Sequence, residues 1–293
     1  MKYLVVNGDD LGYSKPRNEG IIECYREGIL TSTSLLINGE AVHHAVDLVK
    51  KYGIPTGLHL NLSEGLPLTN ASSLLGEDSL MLGKHGIRDL HREGKIDIKE
   101  VEVEMQAQID KFESLIGTKP FHVDGHQHVH LLSGICETFC KVLIKNDIYV
   151  TRLPTEDISS KIIPNKAFLQ TVVEDSYGAK MIFDRYNIRY TDRFIGLNSY
   201  EVSVESVIDL LSDMINDCNY NNTSCEFMVH PGYLTEQEGG CGCGPDDFSQ
   251  SFARENEMKF ICDRKIRQFI DRADIKLVNF ETLFPKKLCA SIC

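Results

Sequence analysis

The stretch Tyr3-Leu4-Val5-Val6-Asn7-Gly8-Asp9-Asp10-Leu11-Gly12-Tyr13 decides how this chain of 293 residues is read. Tyr3 to Val6 is a short apolar, β-branched run that predicts a buried strand. It delivers Asp9 and Asp10 at its C-terminal end, and Gly8 and Gly12 are expected to let the turn bend tightly. Two adjacent carboxylates repel, so holding both at the rim of a sheet calls for a cation or a shared proton. The plain alternative is an ordinary turn, since Asp and Gly are common turn residues. What the rest of the chain aims at the same point decides between them.

Outward from that turn the chain alternates. Asn18 to Glu27 carries apolar residues at helical spacing, with Pro16 at its start and Gly28 at its end. Leu30 to Ile37 predicts a second strand, Glu40 to Tyr52 a second helix closed by Gly53, and Thr56 to Leu62 a third strand. Strand, helix, strand, helix, strand is the rhythm of a parallel α/β sheet. Residues 63–97 show no clean period and predict an insertion with short helical pieces, a wall or lid over the site. Ile98 to Ile116 reads as a long helix ending in Gly117. Ile148 to Leu153 predicts another strand, residues 155–191 two short helices, and Ser224 to Val229 a strand leading to His230-Pro231-Gly232. Glu236 to Ser251 reads as a surface loop, Phe252 to Arg272 as one closing helix, and Ile275 to Asn279 as a last strand. No linker divides the chain, so a single domain over 1–293 is expected.

Hydrophobic content of 42% and charged content of 25% are ordinary for a globular protein, and the formal net charge is −12. An acidic chain without a basic stripe argues against nucleic acid as a partner. No apolar run is long enough to span a membrane. Met1 leads straight into the first strand, leaving no room for a signal peptide, so a cytoplasmic setting is expected. The ten cysteines do not read as a disulfide framework. Cys241-Gly242-Cys243 is the one local cluster, and it lacks the spacing of a zinc ribbon.

The chemistry lies in a shared position. Asp9, Asp10, His59, the run Asp124-Gly125-His126-Gln127-His128-Val129-His130, Arg152 and His230 each fall at or just past the end of a predicted strand. In a parallel α/β barrel those ends open onto one face, where active sites sit. A lone histidine in an apolar strand, such as His59, is more often a hydrogen-bonded core residue. Scattered core histidines, however, have no reason to share one placement. If the strand continued through the histidine run, His126, His128 and His130 would share a face; if a helix began there, His126 and His130 would lie one turn apart. Either arrangement can place imidazoles on a metal, and a carboxylate with two histidines suits a hydrolytic divalent ion.

Asn7 to Gly12, Gly28 to Ser34, Gly57-Leu58-His59, His122 to His130 and His230-Pro231 together resemble the YdjC/ChbG family of carbohydrate deacetylases. The match runs in order from residue 3 to about 280. The resemblance implies a distorted (β/α) TIM-like barrel, a homodimer, and hydrolysis of the acetamide of N-acetylated amino sugars or chitooligosaccharides with a divalent metal. Mg²⁺ is the expected ion, with Zn²⁺, Mn²⁺ or Co²⁺ as alternatives. It also implies Asp10, His59 and His126 as metal ligands and Asp9 as general base. His230 is the candidate general acid, by analogy with related polysaccharide deacetylases. Arg152 orients Asp9, contacts the sugar, or forms a structural salt bridge. Asp124, His128 and His130 remain candidates for substrate contact or for support of the ligands, and one of the two histidines could replace His126. Two alternatives stand beside this reading: hydrolysis of another amide or ester with the same metal site, and a catalytically idle binding barrel. An idle barrel is expected to have lost Asp9, Asp10, His59 or His126, and all four are present.

Overall fold

The computed structural model describes residues 1–158, 165–197, 203–216, 223–235 and 238–285. Strand β1 (Lys2–Leu11) leads into helix α1 (Lys15–Glu27), then β2 (Ser32–Leu35), α2 (Val42–Tyr52) and β3 (Thr56–Leu60). The insertion holds a small antiparallel pair, β4 (Glu64–Gly65) and β5 (Met81–Leu82), and helix α3 (Gly83–Arg92). Helix α4 (Ile98–Ile116), β6 (Val123–Gly125), α5 (Ile135–Lys145), α6 (Lys166–Tyr186), β7 (Arg193–Ile195), α7 (Val204–Asn216) and β8 (Thr223–Val229) follow. The chain closes with α8 (Ala253–Ile261), α9 (Arg264–Arg272), β9 (Ile275–Leu277) and α10 (Phe280–Leu283).

The main sheet runs β6-β3-β2-β1-β8-β7, with β9 also on β1, and its pairings are parallel. It is curled. Beyond β6, Val123 bridges Thr151, and Val150 bridges Arg189 shortly before β7, so the two edges turn toward each other. Leu4, Val5 and Val6 of β1 are fully buried, as a central strand with both faces covered requires. Sequence-adjacent helices lie side by side, α1 against α2, α4 against α5 and α5 against α6.

Local signals explain the boundaries. Ser14 caps α1 by accepting from the Arg17 backbone N–H, and Asp97 caps α4 in the same way. Gly53 and Gly117 end α2 and α4 in left-handed conformations. Several expectations need correction. Ile148–Leu153 makes isolated bridges and no continuous strand. Where two short helices were expected over 155–191, one helix of 21 residues, α6, is present; residues 159–164 lie outside the described segments. The closing helix is two, because Asp263 caps a fresh start at α9 through the Lys265 N–H.

Candidate active site

Alternation along β1 would send Asp9 and Asp10 to opposite faces. A bulge prevents this. Gly8 pairs with Thr33 and Leu11 with Leu35, so β1 carries one more residue than β2 across that interval. Asp10 takes up the slack at φ 66°, a left-handed conformation that Asp tolerates better than most residues. Gly12 is needed at φ 98°, where a Cβ would also lie 2.7 Å from the Leu36 carbonyl oxygen. Gly8, expected to free the turn, shows no such conformation; its lack of a Cβ makes room for Leu30.

With both carboxylates on one side, their oxygens divide. Asp10 Oδ2 faces the Arg17 guanidinium at 3.4 Å. Asp10 Oδ1 faces His59 Nε2 at 3.3 Å and His126 Nδ1 at 3.2 Å, and those two nitrogens are 3.3 Å apart. Donors about 2.0–2.2 Å from a divalent ion, at the angles of a tetrahedral or octahedral shell, lie about 3.0–3.4 Å from one another. The triangle has that size. Asp10 Oδ1 is also buried and makes no well-formed hydrogen bond among the described residues, so a proton on one of the two facing imidazole nitrogens, or a cation, has to satisfy it. Each imidazole is held from behind: His59 Nδ1 donates to Asp124 Oδ1 at 2.7 Å, and His126 Nε2 donates to Glu64 Oε2 at 2.9 Å. A carboxylate only accepts, so the nitrogens turned toward Asp10 are the ones free to ligate. The residues fit a divalent metal.

Asp9 is held differently. Arg152 grips it with two bonds, Nη1 to Oδ2 at 2.5 Å and Nη2 to Oδ1 at 2.7 Å. Oδ1 also accepts from Asn7 Nδ2 at 2.8 Å and Ser34 Oγ at 3.3 Å. Oδ2 faces His59 Nε2 and His230 Nε2, each at 3.9 Å. The same guanidinium reaches Asp124 at 3.0 Å and Glu226 at 2.7 Å, so one buried cation serves three carboxylates.

Charge in this closed space follows from those neighbours. Burial pushes the His59 pKa down, but Asp124, Asp9 and Asp10 outweigh it and lift it to about 9 in the metal-free site. Burial opposes the charge on His126 too, and Asp10 and Glu64 lift it to about 10. Burial would raise Asp10, yet His126 and His59 hold it well below the usual carboxylate range. Glu226 goes the other way: desolvation outweighs Arg152 and pushes it up to about 7. Burial lowers His230, only partly offset by Glu257 and Asp9.

The remaining candidates separate. Gln127 and His128 sit at φ 52° and 58°, which breaks both the strand and the helix expected for the histidine run. His128 lines the cleft beside His126. His130 turns away, its Nε2 donating to the Arg152 carbonyl and its ring packed near Phe139 and Phe183; burial pushes its pKa down to about 4. The cleft walls come from several places, among them Phe168 and Leu169 of α6 and Leu197 after β7. Lys84 of α3 adds to them, so part of the insertion does border the site, and Asp246, Phe248 and Ser249 add a further side. The segment expected as a surface loop, of which residues 236 and 237 lie outside the described segments, is thus a wall. Cys241 is buried against Tyr13 and Leu36, and among the described residues no cysteine joins a metal-competent cluster.

Sequence reasoning missed Glu64, Glu226, Asn7 and Arg17. A Glu inside the apolar run Ser224 to Val229 was a usable signal for Glu226, because an unpaired charge is not buried in a strand. Glu64 carried no signal in an aperiodic segment.

A curled parallel sheet with an Asp/His triangle and a second, Arg-bound carboxylate at its C-terminal edge defines a protein built for polar chemistry on a small ligand. The family described as YdjC-like protein matches residues 3–272. A carbohydrate deacetylase of Mus musculus is 39% identical, covering 97% of this chain and 96% of its own length. A chitooligosaccharide deacetylase of Escherichia fergusonii is 43% identical over 80% of this chain and 82% of its own length. A solved protein of Enterococcus faecalis V583, provisionally assigned to cellobiose-phosphate cleavage, shares the fold at TM-score 0.74. It is 20% identical, with 96% of this chain and 98% of that one covered. The chain belongs to the YdjC-like family.

Proposed function

We propose that this chain is a metal-dependent carbohydrate N-deacetylase on a distorted (β/α) barrel, hydrolysing the acetamide of N-acetylated amino sugars of chitooligosaccharide type. The observation that carries the reading is the triangle of Asp10 Oδ1, His59 Nε2 and His126 Nδ1, with Asp9 Oδ2 3.9 Å from His59. The deacetylase relatives at 38–43% identity support the substrate class.

Asp10, His59 and His126 would hold the ion, which when bound lowers the pKa of water and polarises an acyl oxygen. Asp9 Oδ2 then accepts the proton that the attacking water loses, while Arg152 and Asn7 fix the carboxylate in place. The amide C–N bond breaks, acetate leaves, and the amine nitrogen must gain a proton. His230 Nε2 faces Asp9 Oδ2 from 3.9 Å, beyond a direct hydrogen bond, and is the candidate to hand a proton to the amine once substrate and water fill the cleft. Burial lowers the His230 pKa, which disfavours a standing charge on the ring and suits a group that takes up a proton and gives it away again.

Two imidazoles and one carboxylate suit Zn²⁺, Co²⁺ or Mn²⁺ by ligand type, whereas the expected Mg²⁺ prefers oxygen. Reconstitution with each of the four ions ranks them. The expected homodimer is checked by sedimentation. No helix among the described residues is long and apolar enough to cross a membrane. The deciding test is acetate release from chitooligosaccharides with and without a chelator. Release that stops on chelation and returns with metal is the expected result. No acetate from any N-acetylated sugar with any of the four ions overturns the proposal.

A further inference from the structure

The two imidazoles of the triangle are steadied by different parts of the fold. His59 leans on Asp124, its direct partner in the sheet, so that support is built into the β3–β6 pairing. His126 leans on Glu64, which lies outside the main sheet at the start of the insertion.

Glu64 is pinned for this task. Asn61, just past β3, folds its side chain over the next three residues: Oδ1 accepts from the Ser63 and Glu64 N–H groups at 3.0 and 2.9 Å, and Nδ2 donates to the Glu64 carbonyl at 2.8 Å. Gln108 of α4 clamps the Asn61 backbone from both sides, donating to its carbonyl at 2.6 Å and accepting from its N–H at 3.0 Å. Glu104, one turn earlier and fully buried, accepts from Gln108 and from the Leu68 and Thr69 N–H groups. On the far side, the Leu66 N–H donates to the Cys241 carbonyl at 3.0 Å. A buried polar chain therefore runs from α4 through Asn61 to the Glu64 backbone. The Glu64 carboxylate makes a single hydrogen bond among the described residues, to His126 Nε2, and its other oxygen has no partner. A backbone pinned in this way aims the carboxylate, whose one hydrogen bond among the described residues is the one it accepts from His126.

We propose that Glu64 is a positioning residue that holds the proton of His126 on Nε2 and turns Nδ1 toward Asp10 and His59, so that the insertion sets metal affinity. This rests on the metal reading above. An aspartate would fall short by one carbon–carbon bond, about 1.5 Å, so length and charge both matter.

The test is calorimetric titration of Zn²⁺ into the metal-stripped full chain, comparing wild type with Glu64→Ala, Glu64→Asp and the isosteric Glu64→Gln. Glu64→Ala and Glu64→Asp are expected to weaken binding about 10–100-fold, the usual cost of losing such a partner, and Glu64→Gln by less. Because Glu64 acts through His126, kcat at saturating Zn²⁺ is expected to recover with KM for the sugar unchanged, while the half-saturating Zn²⁺ concentration rises. Glu64→Gln keeps the shape of the insertion, so it reports even if Glu64→Ala fails to fold. Wild-type affinity in Glu64→Gln and Glu64→Ala, or a kcat deficit that excess Zn²⁺ does not repair, overturns the inference alone. A wild-type chain that binds no divalent ion overturns the metal reading and this inference together.

Discussion

At the scale of single residues, the pair Asp9-Asp10 shows how neighbours acquire different work. The bulge turns both to one side, and then partners divide them: Arg152 takes Asp9, while Arg17 and two imidazoles take Asp10. Asp9→Asn is therefore expected to lower turnover by at least a hundredfold, the scale of a lost general base, with metal content unchanged. His59→Ala is expected to lose both. Metal analysis beside acetate release checks this, and equal metal loss in the two variants would undo the division. Glu226 offers a prediction of another kind. Its pKa is near 7 when folded against 4.5 for the free side chain, so the folded chain binds the extra proton between those values. Stability of the metal-free protein gained from this group is complete below about pH 4.5 and is lost as pH rises through 7. The gap is worth on the order of 3 kcal/mol. Glu226→Gln should be more stable than wild type at pH 8, with the difference vanishing toward pH 4.5. Urea denaturation across that range measures it, and a pH-independent difference would count against it.

At the scale of elements, what could be read followed from how locally each element is determined. Helix 98–116 was legible to the residue, because Asp97, an amphipathic period and Gly117 are all local signals. The strand ends carrying Asp9, His59, Asp124 and His230 were legible for the same reason. The bulge at Asp10, the left-handed pair Gln127-His128 and the grip of Glu64 on His126 were not, because contacts distant in sequence decide them. The segment after residue 236 read as a polar surface loop, yet it closes against the insertion. Gly65 marks that contact: at φ 74°, a Cβ would stand 1.7 Å from the Cys241 carbonyl oxygen. Gly65→Ala must part the two segments as well as bear the left-handed strain, about 1–2 kcal/mol. A lower urea midpoint and a raised KM for chitooligosaccharide are expected, since both segments border the cleft. Wild-type values for both would show that the contact is dispensable.

At the scale of the whole molecule, the site is a store of like charges that a metal would relieve, and folding stability should report it. Asp9, Asp124 and Glu226 lie buried around Arg152 with Asp10 beside them on Arg17, and in the metal-free chain protons on His59 and His126 offset part of that charge. Both imidazoles have folded pKa values raised above the ordinary 6.5, to about 9 and about 10. Their contribution is complete below 6.5 and is lost as pH rises through 9 to 10. A divalent ion competes with those protons for the same two nitrogens, so its affinity climbs with pH over that window. An ion at a hundred times its Kd adds about 2.7 kcal/mol. At about 2–4 °C per kcal/mol for domains slightly smaller than this one, Tm should rise by about 5–10 °C on adding metal. The increment should grow from pH 6.5 to 9, persist in Asp9→Asn and disappear in His59→Ala. Calorimetric scans of the three proteins with Zn²⁺ and with chelator test the point. An increment that His59→Ala retains would place the ion away from the strand ends that carry Asp10 and His59.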